Sequence, residues 1–510
     1  MSDTPILTTI PPTAVSSGRQ TLKNTVFNGV RLCFLFLSTV ITSVLVARAL
    51  GPDKMGVYSY GLWLASIFGI FASLGIPTTL TKFISEYLGR NEGERARAMA
   101  RHFLIAQILM ATVTTGVAAL MCFIAIHSNR RALLVAVLIV FPQSIEESLE
   151  GALAGQQKYD RIAAIVSLGS VVQIIAVCLA AWMRGSILSM LLATLGASLF
   201  RTLLAGAVLR KSEIWSRRSQ PRSELKPTLK VAYSFAFTSF YILILNMVVW
   251  QRSEVLFLKR YSTLSDIAIY TIAFSIAGKL SEIGSAFTNT LMPVFSETFG
   301  QQRLAALRSR YEQAIRYVQM TIVLFCAIGM IGAGAAVRVL YGDSYSSITP
   351  VLQILLATVA FTCIGGIGSS MLYAVHRQGF IARFGTLIAA LNLLLDYFLI
   401  PHFGAVGAAF ANGISQVAAV WGGIAYAGRI LEIGFPWRST LTVYCSISIT
   451  MFPILYFAKH WHFSLTNLIF STFAATAAYL LILYVSNEFG PSEISRFRTL
   501  WQSRFRPEPA

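Results

Sequence analysis

In this chain of 510 residues, 55% are hydrophobic and only 12% charged, whereas roughly 25% are charged in an ordinary soluble domain. No water-soluble fold has enough interior for that much apolar surface, so the composition excludes a soluble globular protein and indicates a polytopic membrane protein. The excess of 41 Lys and Arg over 22 Asp and Glu is what cytoplasmic loops collect while orienting membrane spans, and no nucleic-acid partner is inferred from it.

In chain order, apolar segments of spanning length run over 26–47, 56–80, 103–126, 132–153, 162–183, 187–209, 231–257, 266–292, 317–337, 348–374, 381–400, 404–427, 439–458 and 465–485. An all-α protein with about 14 transmembrane helices is predicted, because strands with open edges would leave backbone groups unsatisfied in lipid. With the N-terminus inside, 28 of the 41 basic residues fall in segments facing the cytoplasm and nine in the short loops opposite. That asymmetry predicts a multi-pass protein of the cytoplasmic membrane with both termini cytoplasmic.

A weak internal repeat divides the spans. Gly56-Val57-Tyr58-Ser59-Tyr60 precedes Phe83-Ile84-Ser85-Glu86-Tyr87-Leu88-Gly89, much as Ala268-Ile269-Tyr270-Thr271-Ile272 precedes Val294-Phe295-Ser296-Glu297-Thr298-Phe299-Gly300. Both copies enter a basic loop after an even-numbered span, which predicts two parallel six-helix lobes with two C-terminal helices left over. The expected divisions are a cytoplasmic segment 1–25, an N-lobe 26–209, a basic linker 210–230, a C-lobe 231–427, spans 13 and 14 within 428–485, and a cytoplasmic tail 486–510.

The chain carries no HExxH, GxxxxGK[ST], GxSxG or CxxC pattern and no DxD of the kind that holds a nucleotide-sugar metal. It is read as a transporter and not an enzyme, with no cofactor. Its six cysteines lie in apolar runs and read as small hydrophobes.

Charges inside the spans are the informative set: Arg31, Glu146, Glu147, Glu150, Arg201, Arg252, Glu254, Lys279, Glu282 and Asp396. Each would cost about 2.5–3.5 kcal/mol facing lipid at mid-depth, so most must face protein or a watery cavity. Arg31, Lys279, Arg201 and Arg252 lie at staggered depths, as binding sites for a phosphate-bearing anion would. The competing reading is internal pairing, above all of Lys279 with Glu282, three residues apart on one helical face. Glu146, Glu147 and Glu150 follow Pro142, which is expected to free a carbonyl and kink the helix; they read as a solvated mouth, a salt bridge to basic loops or a proton relay. Asn392 and Asp396 share a face of the eleventh span, with Asn412 on the twelfth and Asn246 on the seventh. Hard oxygen donors of this kind suit Na+ or H+, against the alternative of a hydrogen-bonded helix contact.

Leu50-Gly51-Pro52 with Gly56-Val57-Tyr58, Leu74-Gly75-Ile76-Pro77 and Phe83-Ile84-Ser85-Glu86 resembles the start of the polysaccharide-export, Wzx-like flippases of the multidrug/oligosaccharidyl-lipid/polysaccharide (MOP) superfamily. Asn392-Leu393-Leu394-Leu395-Asp396, then Ile400-Pro401 and Gly404-Ala405-Val406-Gly407-Ala408-Ala409, resembles that superfamily's eleventh-to-twelfth-span signature. The resemblance covers essentially the whole chain. It implies two lobes around a cationic cavity and alternating access that carries a polyprenyl-pyrophosphate-linked oligosaccharide between leaflets. Polysaccharide polymerase and export proteins would be its partners, besides membrane lipid. In the related lipid II flippases, an Asn and an Asp matching Asn392 and Asp396 help bind sodium, and the last two spans form a groove for the lipid tail. The departure expected here is Asn246 in place of a seventh-span carboxylate. The alternatives are a drug or metabolite antiporter of the same superfamily, a membrane glycosyltransferase or ligase, and an inactive scaffold.

Overall fold

The structure, a computed structural model, describes residues 18–125, 128–183, 185–212, 226–250, 253–288, 291, 295, 298–299, 301–375, 377–460 and 465–488. All regular structure among these residues is helical. Parts of the N-terminal segment, the 210–230 linker, the second repeat copy around 292–300 and the C-terminal tail therefore lie outside the described residues, as does Arg252. Two compact units follow one another along the chain, Met1–Met247 and Val248–Ala510.

The first unit contains α1 (Gly18–Leu50), α2 (Pro52–Ser73), α3 (Ile76–Gly89), α4 (Gly93–Ala125), α5 (Arg130–Leu138), α6 (Val140–Gly155), α7 (Tyr159–Trp182), α8 (Ile187–Arg210) and most of α9 (Lys226–Trp250). Gly and Pro set its first two breaks. Gly51 adopts φ 75 and Pro52 starts α2, where a missing N–H costs nothing. Leu74 and Gly75 are both left-handed, so the expected span 56–80 is divided into α2 and α3, and Pro77 opens the second piece. At α8 the entry is a capping box: Ser186 accepts from the Ser189 N–H while the Ser189 hydroxyl accepts from Ser186 N.

The core of this unit is assembled on α3, whose Ile76, Leu80, Phe83, Ile84 and Tyr87 pack with Met99 and Phe103 of α4, Leu153 of α6 and Ala232 of α9. Glycines permit the closest crossings. A Cβ at Gly151 would lie 2.5 Å from the Pro77 carbonyl oxygen, and one at Gly75 would lie 2.5 Å from that of Ala236. α9 is further tied down by His102 and Tyr233 (2.7 Å) and by Lys82 stacked 4.2 Å from the Phe235 ring. The helix expected to open the second lobe thus packs through its first turns on the helices before it.

The second unit contains α10 (Glu254–Tyr261), α11 (Leu264–Thr288), α12 (Leu304–Tyr341), α13 (Ile348–Thr362), α14 (Gly365–Ala374), α15 (Gln378–Leu431), α16 (Trp437–His460) and α17 (Leu465–Val485). The 54-residue α15 is a folded hairpin. Gly404 takes φ 53, ψ −129 just after Pro401, and the arms run so close that a Cβ at Gly407 would lie 2.4 Å from the Leu399 carbonyl oxygen. The two C-terminal helices dock on α12, where Thr440 donates to Gln319 Oε1 (2.9 Å) and Tyr479 donates to the Met320 carbonyl (3.1 Å).

Twelve helical segments among the described residues are long and apolar enough to cross a bilayer, Gly379–Leu431 counting as one. At 1.5 Å per residue a straight helix of that length would far exceed a hydrocarbon core of about 30 Å, which is why the fold at Gly404 matters. Outward faces are apolar, as with Leu203, Phe237, Ile449 and Phe470, all exposed side chains suited to lipid. Cys122 and Cys326 are buried, and all six cysteines are free.

Candidate functional site

Within the first unit, α6 presents Glu146 and Glu150 one turn apart. Pro142 has no N–H for the carbonyl of Leu138, four residues before it, and the span Arg130–Gly155 divides just there, at Ile139, into α5 and α6; the Pro142 carbonyl accepts the Thr202 hydroxyl at 2.8 Å. Arg31 of α1 reaches Glu150, Nη2 to Oε2 at 3.1 Å, and Arg201 of α8 reaches Glu146, Nε to Oε1 at 2.8 Å. Arg201 also donates from Nη1 to Gln173 of α7 (3.0 Å), and its stem lies in the space left by Gly169, where a Cβ would sit 2.2 Å from Arg201 Cγ. Glu146 is 7% exposed and its Oε2 has no hydrogen-bond donor. Glu147 is exposed and accepts from Gln143. Glu146 and Glu150 therefore pair with span arginines.

In the second unit, Lys279 donates to both carboxylate oxygens of Glu282, at 2.8 and 3.0 Å, which is the internal pairing one helical face allows. A second and drier cluster forms where the α15 hairpin packs on α10. Asp396 and Asn412 each stand eight residues from Gly404, so folding the helix there brings them level. Asn392 and Asp396 are wholly buried and Asn412 nearly so. Facing them is Glu254, also wholly buried, at the start of α10. The Asn392 amide nitrogen approaches Ser253 Oγ (3.2 Å), Glu254 Oε1 (3.3 Å) and Asp396 Oδ2 (3.2 Å). Asn412 donates to Glu254 Oε1 (2.8 Å), and Gln416 donates to Asn412 Oδ1 (2.8 Å). Tyr270 approaches Glu254 from α11. Glu254 Oε2 and Asp396 Oδ1 receive no hydrogen bond.

Two carboxylates and two carboxamides in one buried shell cannot stay doubly charged without compensation. Desolvating one carboxylate already costs several kcal/mol, and a second adds like-charge repulsion. A proton or a small hard cation would supply the compensation. The donors present, all oxygens and amides, suit Na+ or H+ and not a soft metal. Among the described residues, no group of three or more His, Cys, Asp and Glu is placed to hold a metal.

Three of the four residues assigned from sequence to the ion site, Asn392, Asp396 and Asn412, meet in this cluster. Asn246 is an exposed residue of the first unit, and within the second unit it is Glu254 that bonds Asn392 and Asn412. Of the four cations assigned to an anion, Arg31, Arg201 and Lys279 each hold a carboxylate. The sequence named Glu254 as a charge within a span but gave it no partner; its being the one acidic residue of the predicted seventh span was the available signal.

An all-helical membrane fold of this type is shared with structurally known transporters. Residues 21–299 match the family described as polysaccharide biosynthesis protein. A "probable low-salt glycan biosynthesis flippase", Agl15, of Haloferax volcanii is 23% identical over 384 residues, which cover 72% of this chain and 75% of that protein. The lipid II flippase MurJ in an inward closed conformation superposes with a TM-score of 0.63 at 16% identity, covering 92% of this chain and 98% of the other. An inward-facing multidrug resistance MATE transporter of the MOP superfamily gives 0.61 at 19%, covering 79% and 98%. The fold is therefore that of the MOP superfamily. The chain belongs to the polysaccharide biosynthesis protein family, as a Wzx-like flippase of that superfamily.

Proposed function

We propose that this flippase carries a polyprenyl-pyrophosphate-linked oligosaccharide from the inner to the outer leaflet of the cytoplasmic membrane by alternating access, for polysaccharide synthesis. Both termini lie in the cytoplasm, and polymerase and export proteins act on the delivered unit. The observation that carries this reading is Arg31, a guanidinium within a span of a polysaccharide biosynthesis protein. Its side chain keeps 30% of its exposure, it binds Glu150 through one Nη, and its Nε has no acceptor. Guanidinium is the side chain best matched to phosphate. Lys279, Arg201 and Arg252 are its companions in the assignment. An inside-negative potential favours outward movement of an anion by about 2.3 kcal/mol per charge per 100 mV. The Glu254, Asn392, Asp396 and Asn412 cluster binds the coupling ion, Na+ or H+.

The double variant Arg31→Gln with Lys279→Gln is expected to reduce surface polysaccharide at least tenfold while its membrane level matches the unmodified protein. Normal surface glycan at a normal protein level would sink the assignment. One observation favours a second reading, an antiporter of cationic compounds: three glutamates on α6 outnumber the two arginines facing them. Uptake of a cationic dye by proteoliposomes, with no movement of a lipid diphosphate, would select it.

A further inference from the structure

Five ionisable groups of the first unit, Arg31, Arg201, Glu146, Glu147 and Glu150, cluster on and around α6, and the two ion pairs among them lie at two levels. Arg31 and Glu150 lie four and five residues from the nearer ends of their spans, Phe27–Leu50 and Arg130–Gly155, and Arg201 and Glu146 each lie nine residues from theirs. The levels are one helical turn apart on α6, about 6 Å of rise. Of the other helices packed on α6, which include α2 and α5, three bring neutral groups: Gln173 from α7 binds Arg201, Gln107 of α4 accepts from Ser148, and Thr81 of α3 donates to the Gly151 carbonyl. The ionisable groups bearing on Glu146 are Arg201, Glu150 and Glu147, and those bearing on Glu150 are Arg31 and Arg201. With all five ionised the group carries a net charge of −1.

That charge count poses a problem for an anion. A diphosphate diester brings two negative charges in two linked phosphoryl groups, which suits two arginines at successive depths. Added to the cluster as it stands, it would raise the net charge to −3 between apolar walls. Glu146 makes the difficulty acute, being nine-tenths buried with an oxygen that already lacks a donor. If Glu146 and Glu150 each take a proton from water as the diphosphate arrives, the net charge stays at −1. The two arginines are then released to the phosphoryl oxygens, and each new carboxylic acid O–H can donate to the same anion.

We propose that Glu146 and Glu150 are exchangeable counter-ions for Arg201 and Arg31, displaced by the substrate's diphosphate, so that binding in the first unit takes up protons on these two glutamates. This rests on the anion-carrier reading above and adds to it the groups that make the site pH-dependent. No bond is made or broken except O–H, and the protons come from solvent. Since the bound state holds more protons than the free state, affinity rises as pH falls.

The test uses the full chain in lipid nanodiscs and P1-farnesyl-P2-N-acetylglucosaminyl diphosphate, a diester with no titratable proton of its own near neutrality. Calorimetry in buffers of different ionisation enthalpy reads the protons taken up on binding. Uptake approaching two is expected across the range where the glutamates change state, with Kd weakening as pH rises by up to about a hundredfold per unit. The single variants Glu146→Gln and Glu150→Gln are each expected to remove about one proton from the uptake, and the double variant to bind with little pH dependence. Glu147→Gln, which alters no arginine pair, should leave the uptake as it was. Binding without proton uptake, or uptake unchanged in both single variants, overturns the counter-ion exchange and leaves the anion carrier standing. No binding of the diester at any pH overturns both.

Discussion

Glu254→Gln combined with Asp396→Asn is expected to cut coupled transport by at least a hundredfold while leaving the protein as stable as before, or more so. The physical reason is the difference between a structural and a functional charge. Both carboxylates are wholly buried and share the Asn392 amide nitrogen as a donor. An ionised carboxylate in a buried site carries a desolvation penalty of several kcal/mol, which a neutral amide of like shape does not. A structural hydrogen-bond cluster would therefore survive the change with its function intact. An ion site would not, because the charge that pulls a cation out of water is gone. Substrate flux in proteoliposomes under imposed Na+ and H+ gradients, read beside the melting temperature, separates the two. Undiminished, gradient-dependent flux would leave the cluster as packing alone.

Gly75→Val should be the most damaging single change to the first unit. Gly75 has φ 71, a left-handed conformation, and a Cβ there would lie 2.5 Å from the Ala236 carbonyl oxygen and 2.9 Å from Ser239 Cβ. The left-handed backbone costs a non-glycine residue about 1–2 kcal/mol, and overpacking adds about 1–3. Neither neighbour can rotate away, since one is backbone and the other a Cβ. Loss of most folded protein from the membrane, or a melting temperature lowered by many degrees, is the expected result. Gly116→Ala is the matched control. Nothing lies within 4 Å of a Cβ there, and removing a mid-helix glycine gains roughly 0.5–1 kcal/mol. Equal expression and melting temperature for Gly75→Val and the parent would refute the tight crossing of the α2–α3 turn with α9.

Much of the fold was readable because long apolar runs have only one stable form in lipid. Each predicted span corresponds to helix in the described residues. What escaped were interruptions within spans. The segment 56–80 hides the turn at Leu74-Gly75, and 348–374 hides the break between α13 and α14. Hydropathy averages over such breaks, although Gly75-Ile76-Pro77 marked the first. The site was legible to the extent that it is local. Asn392 and Asp396 share a face by their spacing, and Glu146 and Glu150 do likewise. Partners across helices were not legible, because one sequence contains no register between distant segments. Glu254 is therefore visible only as a charge without a partner, and the choice between an anion and internal pairing stays open until packing gives Arg31, Arg201 and Lys279 a carboxylate each. A low-dielectric interior favours such neutral pairs in the absence of another counter-charge.

The sharp fold of α15 at Gly404 has a practical outcome for watching this molecule at work. Its two arms meet with no slack chain between them, so they must travel together in any conformational cycle. Spin labels on Leu387 and Ile414, both outward-facing and one on each arm, should hold a constant spacing under every gradient and ligand. That pair would serve as a built-in ruler against which the motion of every other label could be judged.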